Sequence, residues 1–210
     1  MIKAALFDLD GVVFDTEPQY TFFWEQMGRK YHLGISDFAK KIKGQTLQRI
    51  FSDYFNDVKD QQPHIVSLLN DFEKNLSFDY VPGFLEFVSE LRCKGVKTAI
   101  VTSSNQDKMQ SLYAARPEIK GLFDKILTAE DFKNSKPSPE CYLKGAEALS
   151  VQPDECVGFE DSFNGLKAVR AAGMYVVGLS TTNSEAVIRD YCDVVINDYK
   201  NWTHKIHLFI

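Results

Sequence analysis

Two aspartates near the start of the chain directly follow a short apolar segment. Asp8 and Asp10 come after residues 4–7, whose apolar side chains are typical of a strand buried on both faces. Strand side chains alternate with a period of two, so the two carboxylates are expected to point the same way. Like charges so close repel unless a cation or a shared proton relieves them. Because sites in open α/β sheets lie beyond the carboxyl ends of strands, a site is expected here.

Small polar residues follow the next predicted strand, residues 97–101. Residues 102–105 read Thr-Ser-Ser-Asn, and Thr102 and Ser103 offer hydroxyl and backbone N–H donors to an anion near a helix start. Serine, threonine and asparagine are also ordinary helix caps, which leaves a purely structural role open.

A lysine and two adjacent acids complete the candidate set. Lys136 places a cation at the entrance of a helix predicted for residues 139–149, although a solvated surface charge is the alternative. Glu160 and Asp161 follow a strand predicted at residues 156–159, and a charge pair at a helix N-terminus is the alternative there. Carboxylates, hydroxyls and a lysine around one pocket fit magnesium-assisted phosphoryl transfer better than other chemistry, because hard oxygen ligands suit Mg²⁺.

Alternating helix and strand patterns from residue 81 onward predict the element that positions these groups. The predicted strands are residues 4–7, 97–101, 126–128, 156–159, 175–179 and 194–196. Such alternation predicts an α/β fold, a Rossmann-like and mostly parallel sheet with helices on both faces and right-handed crossovers. Residues 1–15 and 81–210 are therefore predicted to form one catalytic core.

The segment of residues 16–80 carries only helical patterns. Its first stripe of aromatic and apolar side chains has the spacing of one helix face and consists of Tyr20, Phe23, Trp24, Met27 and Tyr31. Ser36 or Asp37 is predicted to cap a second helix that runs to Gly44, and two further stripes with the same spacing follow at residues 47–55 and 65–76. The segment is predicted to be a four-helix domain inserted after the first strand, with stripes that pack rather than bind a cofactor.

Composition excludes several classes of function. The chain of 210 residues is 44% hydrophobic and 25% charged, which is ordinary for a soluble globular protein. A formal net charge of -5 gives no footprint for nucleic acid or an anionic membrane. The four cysteines are scattered and are expected to be buried, reduced thiols. With no signal peptide or membrane span in the sequence, we expect a cytoplasmic monomer.

The four sets of residues, in this order, resemble the motifs of haloacid dehalogenase superfamily phosphotransferases that carry a helical cap after the first strand. The first motif, Asp-x-Asp-Gly-Val, matches residues 8–12. Thr102 matches the second motif, Lys136 the third, and Glu160 with Asp161 the fourth. Each motif is weak alone, but the ordered set is highly specific and covers residues 3–196.

The resemblance implies a role for each matched residue. Asp8 would be the nucleophile that becomes an aspartyl phosphate, and Asp10 the general acid and base. Thr102, Ser103 and Lys136 would hold the phosphoryl group of a small phosphorylated metabolite, most simply a sugar phosphate. The implied cofactor is Mg²⁺, held by Asp8, Asp161, Asp10 through its backbone, and Glu160 directly or through water.

The motifs leave the fate of the phosphoryl group open. Attack by water makes the protein a phosphatase, whereas return of a sugar bisphosphate makes it a phosphomutase of the beta-phosphoglucomutase type. Many mutase caps carry a histidine where this chain has Tyr20, and the mutase cap arginine falls at Leu47, with Arg49 and Lys74 as substitutes. These departures favour the phosphatase. A non-catalytic phosphate-binding or protein-binding module on the same fold is a third hypothesis.

The turn of the cap at residues 43–45 yields a prediction about specificity. Lys43 and Gln45, with Tyr20 and Arg49, are the candidate substrate contacts, although the turn is also explained as a helix end. We expect Lys43→Ala or Gln45→Ala to change the ratio of kcat/KM values across a panel of sugar phosphates. Equal losses on every substrate would contradict a role in selectivity.

Overall fold

A six-stranded parallel sheet forms the centre of the structure. The computed structural model describes residues 1–31, 33–42, 45 and 47–202, and structural statements below refer to these residues. Its strands are β1 (Ala4–Phe7), β2 (Lys97–Val101), β3 (Lys125–Leu127), β4 (Cys156–Glu160), β5 (Tyr175–Leu179) and β6 (Val194–Ile196). They lie in the order β3-β2-β1-β4-β5-β6, and every neighbouring pair is parallel. The predicted α/β fold class is confirmed, with the third strand beginning one residue earlier than predicted.

Ten α-helices surround or follow this sheet in the described part of the chain. They are α1 (Glu17–Lys30), α2 (Phe38–Ile42), α3 (Leu47–Tyr54), α4 (Gln62–Lys74), α5 (Phe84–Cys93), α6 (Gln106–Ala115), α7 (Ile119–Leu122), α8 (Glu140–Leu149), α9 (Phe163–Ala171) and α10 (Glu185–Ile188). Short 3-10 helices occupy Asn56–Gln61, Ala129–Asp131, Pro153–Glu155 and Arg189–Tyr191. The connections between consecutive strands carry these helices, because parallel strands need crossover connections.

The sheet is buried on both faces. Every residue of β1 is fully buried, and separate apolar clusters pack on the two sides of the sheet. On one side the Phe7 ring stacks on Phe159 at 4.5 Å between centroids and meets the edges of Phe84 and Phe87. This two-sided burial explains why the strands read as continuous apolar runs rather than alternating ones.

Helices α1 to α4 pack around an apolar cluster of their own. Phe23, Trp24 and Met27 of α1 are buried in it. The segment by which the chain leaves the sheet region lies beside the segment by which it returns. The Asp15 N–H donates to the Asp79 carbonyl at 2.8 Å, and the Val81 N–H donates to the Val13 carbonyl at 2.9 Å. This pairing lies next to the predicted boundaries at residues 15 and 81, which stay predictions.

Several finer expectations meet mixed outcomes. The second helix begins at Phe38, directly after Asp37, one of the two predicted cap residues, and its predicted end at Gly44 lies outside the described residues. All four cysteines are free as expected, but Cys93 is exposed and Cys192 is half-buried rather than buried. None of the described helices combines the length and apolarity that crossing a membrane needs.

The aromatic cluster under β1 gives a stability prediction. Phe87 is fully buried against Phe7, Phe159 and Tyr199, so Phe87→Ala should lower the free energy of unfolding by about 3–5 kcal/mol. Phe22 is 67% exposed, and Phe22→Ala should change the free energy of unfolding by less than about 0.5 kcal/mol. Urea denaturation of the two variants checks the difference. Similar losses in both would contradict the described core.

Candidate active site

The two central strands place the first candidates side by side. Strands β1 and β4 are neighbours, and the chain order reverses direction between them, which makes their carboxyl ends a topological switch point. Asp8 follows β1, and its N–H donates to the Phe159 carbonyl at 3.0 Å. Glu160 ends β4 and Asp161 follows it. Residues that are about 150 positions apart in the sequence therefore meet at one crevice.

Lys136 links the carboxylates of the two strands. Its ammonium nitrogen lies 2.5 Å from Asp8 Oδ1 and 2.6 Å from Glu160 Oε1, and it donates to the Val101 carbonyl at 3.3 Å. The side chains of Lys136 and Glu160 are 7% and 1% exposed. Buried charges need partners, and each of these has one at hydrogen-bond distance. The predicted surface-charge alternative for Lys136 is thus wrong.

Hydrogen bonds hold both carboxylate oxygens of Glu160 in place. Its Oε1 also accepts from the Tyr142 hydroxyl at 2.8 Å, and its Oε2 accepts from the Ser162 hydroxyl at 3.2 Å and from the Asp161 N–H at 3.2 Å. The Ser162 hydroxyl in turn accepts from the Gly165 N–H at 3.1 Å and caps α9. Both Glu160 oxygens are therefore occupied, and the side chain holds Lys136 in position.

Asp161 is held by the loop that follows β5. The Thr182 hydroxyl donates to Asp161 Oδ2, and the Asn183 side-chain amide donates to the Asp161 carbonyl at 3.0 Å. Gly11, with a φ of 72°, lies against the same carboxylate, and a Cβ atom there would overlap it. Glycine suits this position for two reasons: it adopts the left-handed backbone conformation without strain, and it has no Cβ atom to collide with the Asp161 carboxylate.

The buried acids form a candidate metal centre. One oxygen each of Asp8, Glu160 and Asp161 lies within 4.8 Å of the others. Burial raises the pKa of Asp8 to about 7, against the opposing effect of Lys136 and with added repulsion from Glu160 and Asp10. Burial, then the nearby carboxylates, raises the pKa of Asp161 well above its usual value. Oxygen donors that repel one another suit a hard cation such as Mg²⁺.

Asp10 has different partners from Asp8. Its Oδ1 and Oδ2 lie 2.6 and 2.5 Å from the Lys108 ammonium. Thr16 Oγ1 donates to its Oδ1 at 2.5 Å, and Ser104 Oγ donates to its Oδ2 at 3.3 Å. The Asp10 carboxylate is thus turned toward Lys108, whereas the cluster of three acids draws on Asp8, Glu160 and Asp161.

Lys108 is the residue that the sequence analysis missed. It belongs to no motif, yet its side chain is only 3% exposed. It lies in the first turn of α6, where the helix dipole disfavours a cation. A lysine in the first turn of a helix is a weak signal of a nearby carboxylate, and it can be used only once the start of α6 is known.

The predicted phosphate-binding loop lies beside Asp10. Thr102 is buried, and its hydroxyl accepts from the Ser104 N–H and contacts the Ser104 hydroxyl, both at 3.0 Å. Ser103 is exposed. The Asn105 side chain caps α6 by accepting from the Lys108 N–H at 2.9 Å. The structure thus joins the loop to the Asp10 carboxylate through Ser104. The alternative role as a helix cap is confirmed at Asn105, and phosphate binding stays a prediction.

The predicted specificity residues separate into two groups. Gln45 and Arg49 line a cavity of about 490 Å³ whose other wall is the segment of residues 133–138 with Asn164. Tyr20 lies elsewhere, with its hydroxyl donating to Glu73 Oε1 at 2.8 Å. Lys43 lies outside the described residues.

Comparison with known proteins gives the family. The model of the haloacid dehalogenase-like hydrolases matches residues 2–173. The chain therefore belongs to the haloacid dehalogenase-like hydrolase family. The resemblance of its motifs to that family is confirmed, and the chain is an enzyme of the hydrolase class.

Named relatives resemble the chain over most of its length. Validoxylamine A 7'-phosphate phosphatase of Streptomyces hygroscopicus subsp. limoneus is 28% identical over 97% of this chain and 98% of that protein. Hexitol phosphatase A of Escherichia coli (strain K12) is 31% identical over 85% of this chain and 83% of that protein. A putative beta-phosphoglucomutase from Bacteroides vulgatus has a similar structure, with a TM-score of 0.83, 23% identity, and coverage of 99% of this chain and 88% of the other.

One relative is much longer than this chain. Protein SUPPRESSOR OF QUENCHING 1 of Arabidopsis thaliana is 30% identical over 94% of this chain, but the match spans only 20% of the plant protein. The similarity to that protein therefore concerns one part of it.

The contact between α9 and Glu160 gives a prediction. A Cβ atom on Gly165 would overlap the Glu160 carboxylate, whereas a Cβ atom on Gly121 would have nothing within 4 Å. Gly165→Ala should lower the free energy of unfolding by about 1–3 kcal/mol, because a packed buried ion pair must shift. Gly121→Ala, also in a helix, should be neutral or stabilising. Chemical denaturation compares the two variants, and equal stabilities would contradict the described packing of Glu160.

Proposed function

We propose that this protein is a magnesium-dependent phosphatase that hydrolyses a small phosphorylated metabolite, a sugar phosphate, through an aspartyl phosphate on Asp8. One observation carries the proposal: the Asp8 carboxylate lies at the switch point of the sheet, 2.5 Å from buried Lys136 and within 4.8 Å of two further acids. The phosphatases among the named relatives support the same reaction class.

The residues present suit the chemistry of phosphoryl transfer. Asp8 attacks phosphorus and the P–O bond to the sugar breaks, with Asp10 donating a proton to the leaving oxygen. Water then attacks the aspartyl phosphate and gives its proton to Asp10, which releases inorganic phosphate and restores Asp8. Lys136 binds the phosphoryl oxygens and limits their repulsion with Asp8.

The donor set fits a magnesium ion. Asp8, Asp161 and the Asp10 main chain would coordinate it. Glu160 would lie outside this coordination shell, because its oxygens already accept from Lys136 and Ser162. Bound magnesium supplies positive charge to the phosphoryl oxygens and to the repelling carboxylates.

Helices α1 to α4, within residues 16–80, are proposed as a cap that closes over the crevice and excludes bulk water. The cavity between Arg49 and the loop of residues 133–138 would take the sugar. Gln45 Oε1 is buried and has no hydrogen-bond partner among the described residues, so it suits a substrate hydroxyl. A cytoplasmic location and a monomeric state remain predictions.

Hydrolysis is favoured over mutase chemistry by two positions. Leu47 begins α3 where the mutase arginine is expected. Tyr20, which stands near the expected histidine, has its hydroxyl engaged by Glu73. At these two positions the cap groups of the mutase pattern are replaced, with Arg49 and Lys74 as the substitutes for the arginine, and water is the proposed acceptor.

A panel of phosphorylated metabolites with product identification tests this function. We expect magnesium-dependent release of phosphate from p-nitrophenyl phosphate and from at least one sugar phosphate, abolished by a chelator. A phosphate moved to another carbon of the same sugar would identify a mutase instead. Binding of phosphate without any turnover would point to the non-catalytic module.

Asp8→Asn provides the matching mutational prediction. An amide cannot act as the nucleophile, so turnover of every substrate should fall below detection while the fold, followed by circular dichroism, is retained. Asp154→Asn, which neutralises an exposed acid in the 3-10 helix before β4, should leave kcat/KM unchanged. Near-normal magnesium-dependent activity of Asp8→Asn would refute the assignment of the nucleophile.

A further inference from the structure

Lys108 is a buried cation that none of the family motifs includes. Its ammonium lies 2.5–2.6 Å from both oxygens of Asp10, while its exposed fraction is only 3%. An ammonium group has three N–H donors. Contact with both oxygens of one carboxylate restricts the rotation of that carboxylate more than a contact with one oxygen would. Thr16 and Ser104 approach the same oxygens and restrict it further.

The same ammonium also contacts the helices proposed as the cap. It lies 4.6 Å from the centroid of the Tyr20 ring, within the range of a cation–π interaction. Tyr20 belongs to α1, and its hydroxyl donates to Glu73 of α4 at 2.8 Å. The ring is held from the side by Phe72 at 5.3 Å between centroids. Asp10, Lys108, Tyr20 and Glu73 thus form one chain of contacts, here called the Lys108 network.

The two aspartates of the first motif therefore have separate lysines. Lys136 contacts Asp8 and Glu160, whereas Lys108 contacts Asp10 and a ring on α1. The hydrogen bonds of Lys136 run to the carboxyl ends of the sheet strands, at Asp8, Val101 and Glu160. The lysine of Asp10 is in contact with α1, so a movement of that helix changes the surroundings of Asp10.

From this geometry we propose that Lys108 is a positioning residue that orients Asp10 for proton transfer, and that Tyr20 holds Lys108 in place from α1. The inference rests on the proposed phosphatase reaction, because it concerns the proton given to the leaving oxygen. Lys108 does not contact the reacting phosphorus; it acts through Asp10. Movement of the cap and orientation of Asp10 are then linked through one side chain.

Leaving groups of different acidity test this role. For an enzyme that forms an aspartyl phosphate, kcat/KM reports the reaction up to and including departure of the leaving oxygen. Loss of general acid catalysis should cost about 10²–10⁴-fold for an alkyl phosphate. It should cost little for p-nitrophenyl phosphate, whose leaving oxygen departs as a stable phenolate. Lys108→Met should therefore lose at least about 100-fold in kcat/KM on a sugar phosphate, but less than about fivefold on p-nitrophenyl phosphate.

A double variant separates positioning from a general structural effect. Asp10→Asn should show the same dependence on the leaving group, and Asp10→Asn/Lys108→Met should be no worse than Asp10→Asn alone. The double variant also leaves no unpaired buried charge. Lys120 provides a matched control, because it lies 4.2 Å from the Tyr113 ring centroid but on the exposed surface. Lys120→Met should keep kcat/KM on both substrates.

Tyr20→Leu tests the connection to the cap and serves if Lys108→Met does not fold. It removes the ring beside Lys108 but keeps an apolar side chain, and it should reduce kcat/KM on the sugar phosphate by about 2–30-fold with little effect on p-nitrophenyl phosphate.

Three results would overturn the inference. Equal losses of Lys108→Met on both substrates would do so, as would losses in the double variant that multiply those of the single variants. Unchanged activity of Lys108→Met would do so as well. In each of these cases an active wild-type protein leaves the proposed function standing. A wild-type protein without magnesium-dependent turnover of either substrate would overturn the proposed function and this inference together.

Discussion

The burial of several carboxylates at one end of two central strands is the constraint on which the rest of this structure depends. Ionised acids lose hydration when they are buried and repel one another, so each needs a cation or a hydrogen-bond donor. Lys136 forms ion pairs with Asp8 and Glu160, and Lys108 forms an ion pair with Asp10. The raised pKa values of Asp8 and Asp161 indicate that these partners do not fully offset burial and repulsion. A bound magnesium ion would supply the missing positive charge.

This constraint explains local features that packing alone does not. Gly11 and Gly165 lie where a Cβ atom would displace Asp161 or Glu160. The hydroxyls of Tyr142 and Thr182 are directed at the same two acids. The sheet order then brings these groups together, because β1 and β4 are neighbours at the point where the strand order reverses. Sequence, backbone conformation and topology thus agree at the site, which is what a specific catalytic arrangement requires.

Much of the fold and of the site was predictable because strand ends are visible in a sequence. Apolar runs that end in Asp8 or Glu160 mark strands and place their acids at one edge of a parallel sheet. A helix start was expected near residues 102–105, but the extent of α6 was not predicted, and Lys108 was missed because its partner lies 98 positions away. Tyr20 was predicted from its spacing to lie on a helix face. Its contact with Lys108 depends on how α1 meets α6, which local patterns do not encode.

The central claim is that Asp8 becomes phosphorylated during turnover. Mass spectrometry of protein quenched in acid during turnover of a substrate from the panel tests this most directly. The account predicts that the peptide containing Asp8 gains the mass of one phosphoryl group, that fragmentation assigns the gain to Asp8, and that the adduct disappears once substrate is exhausted. An adduct on another residue, or none while phosphate is being released, would contradict the account.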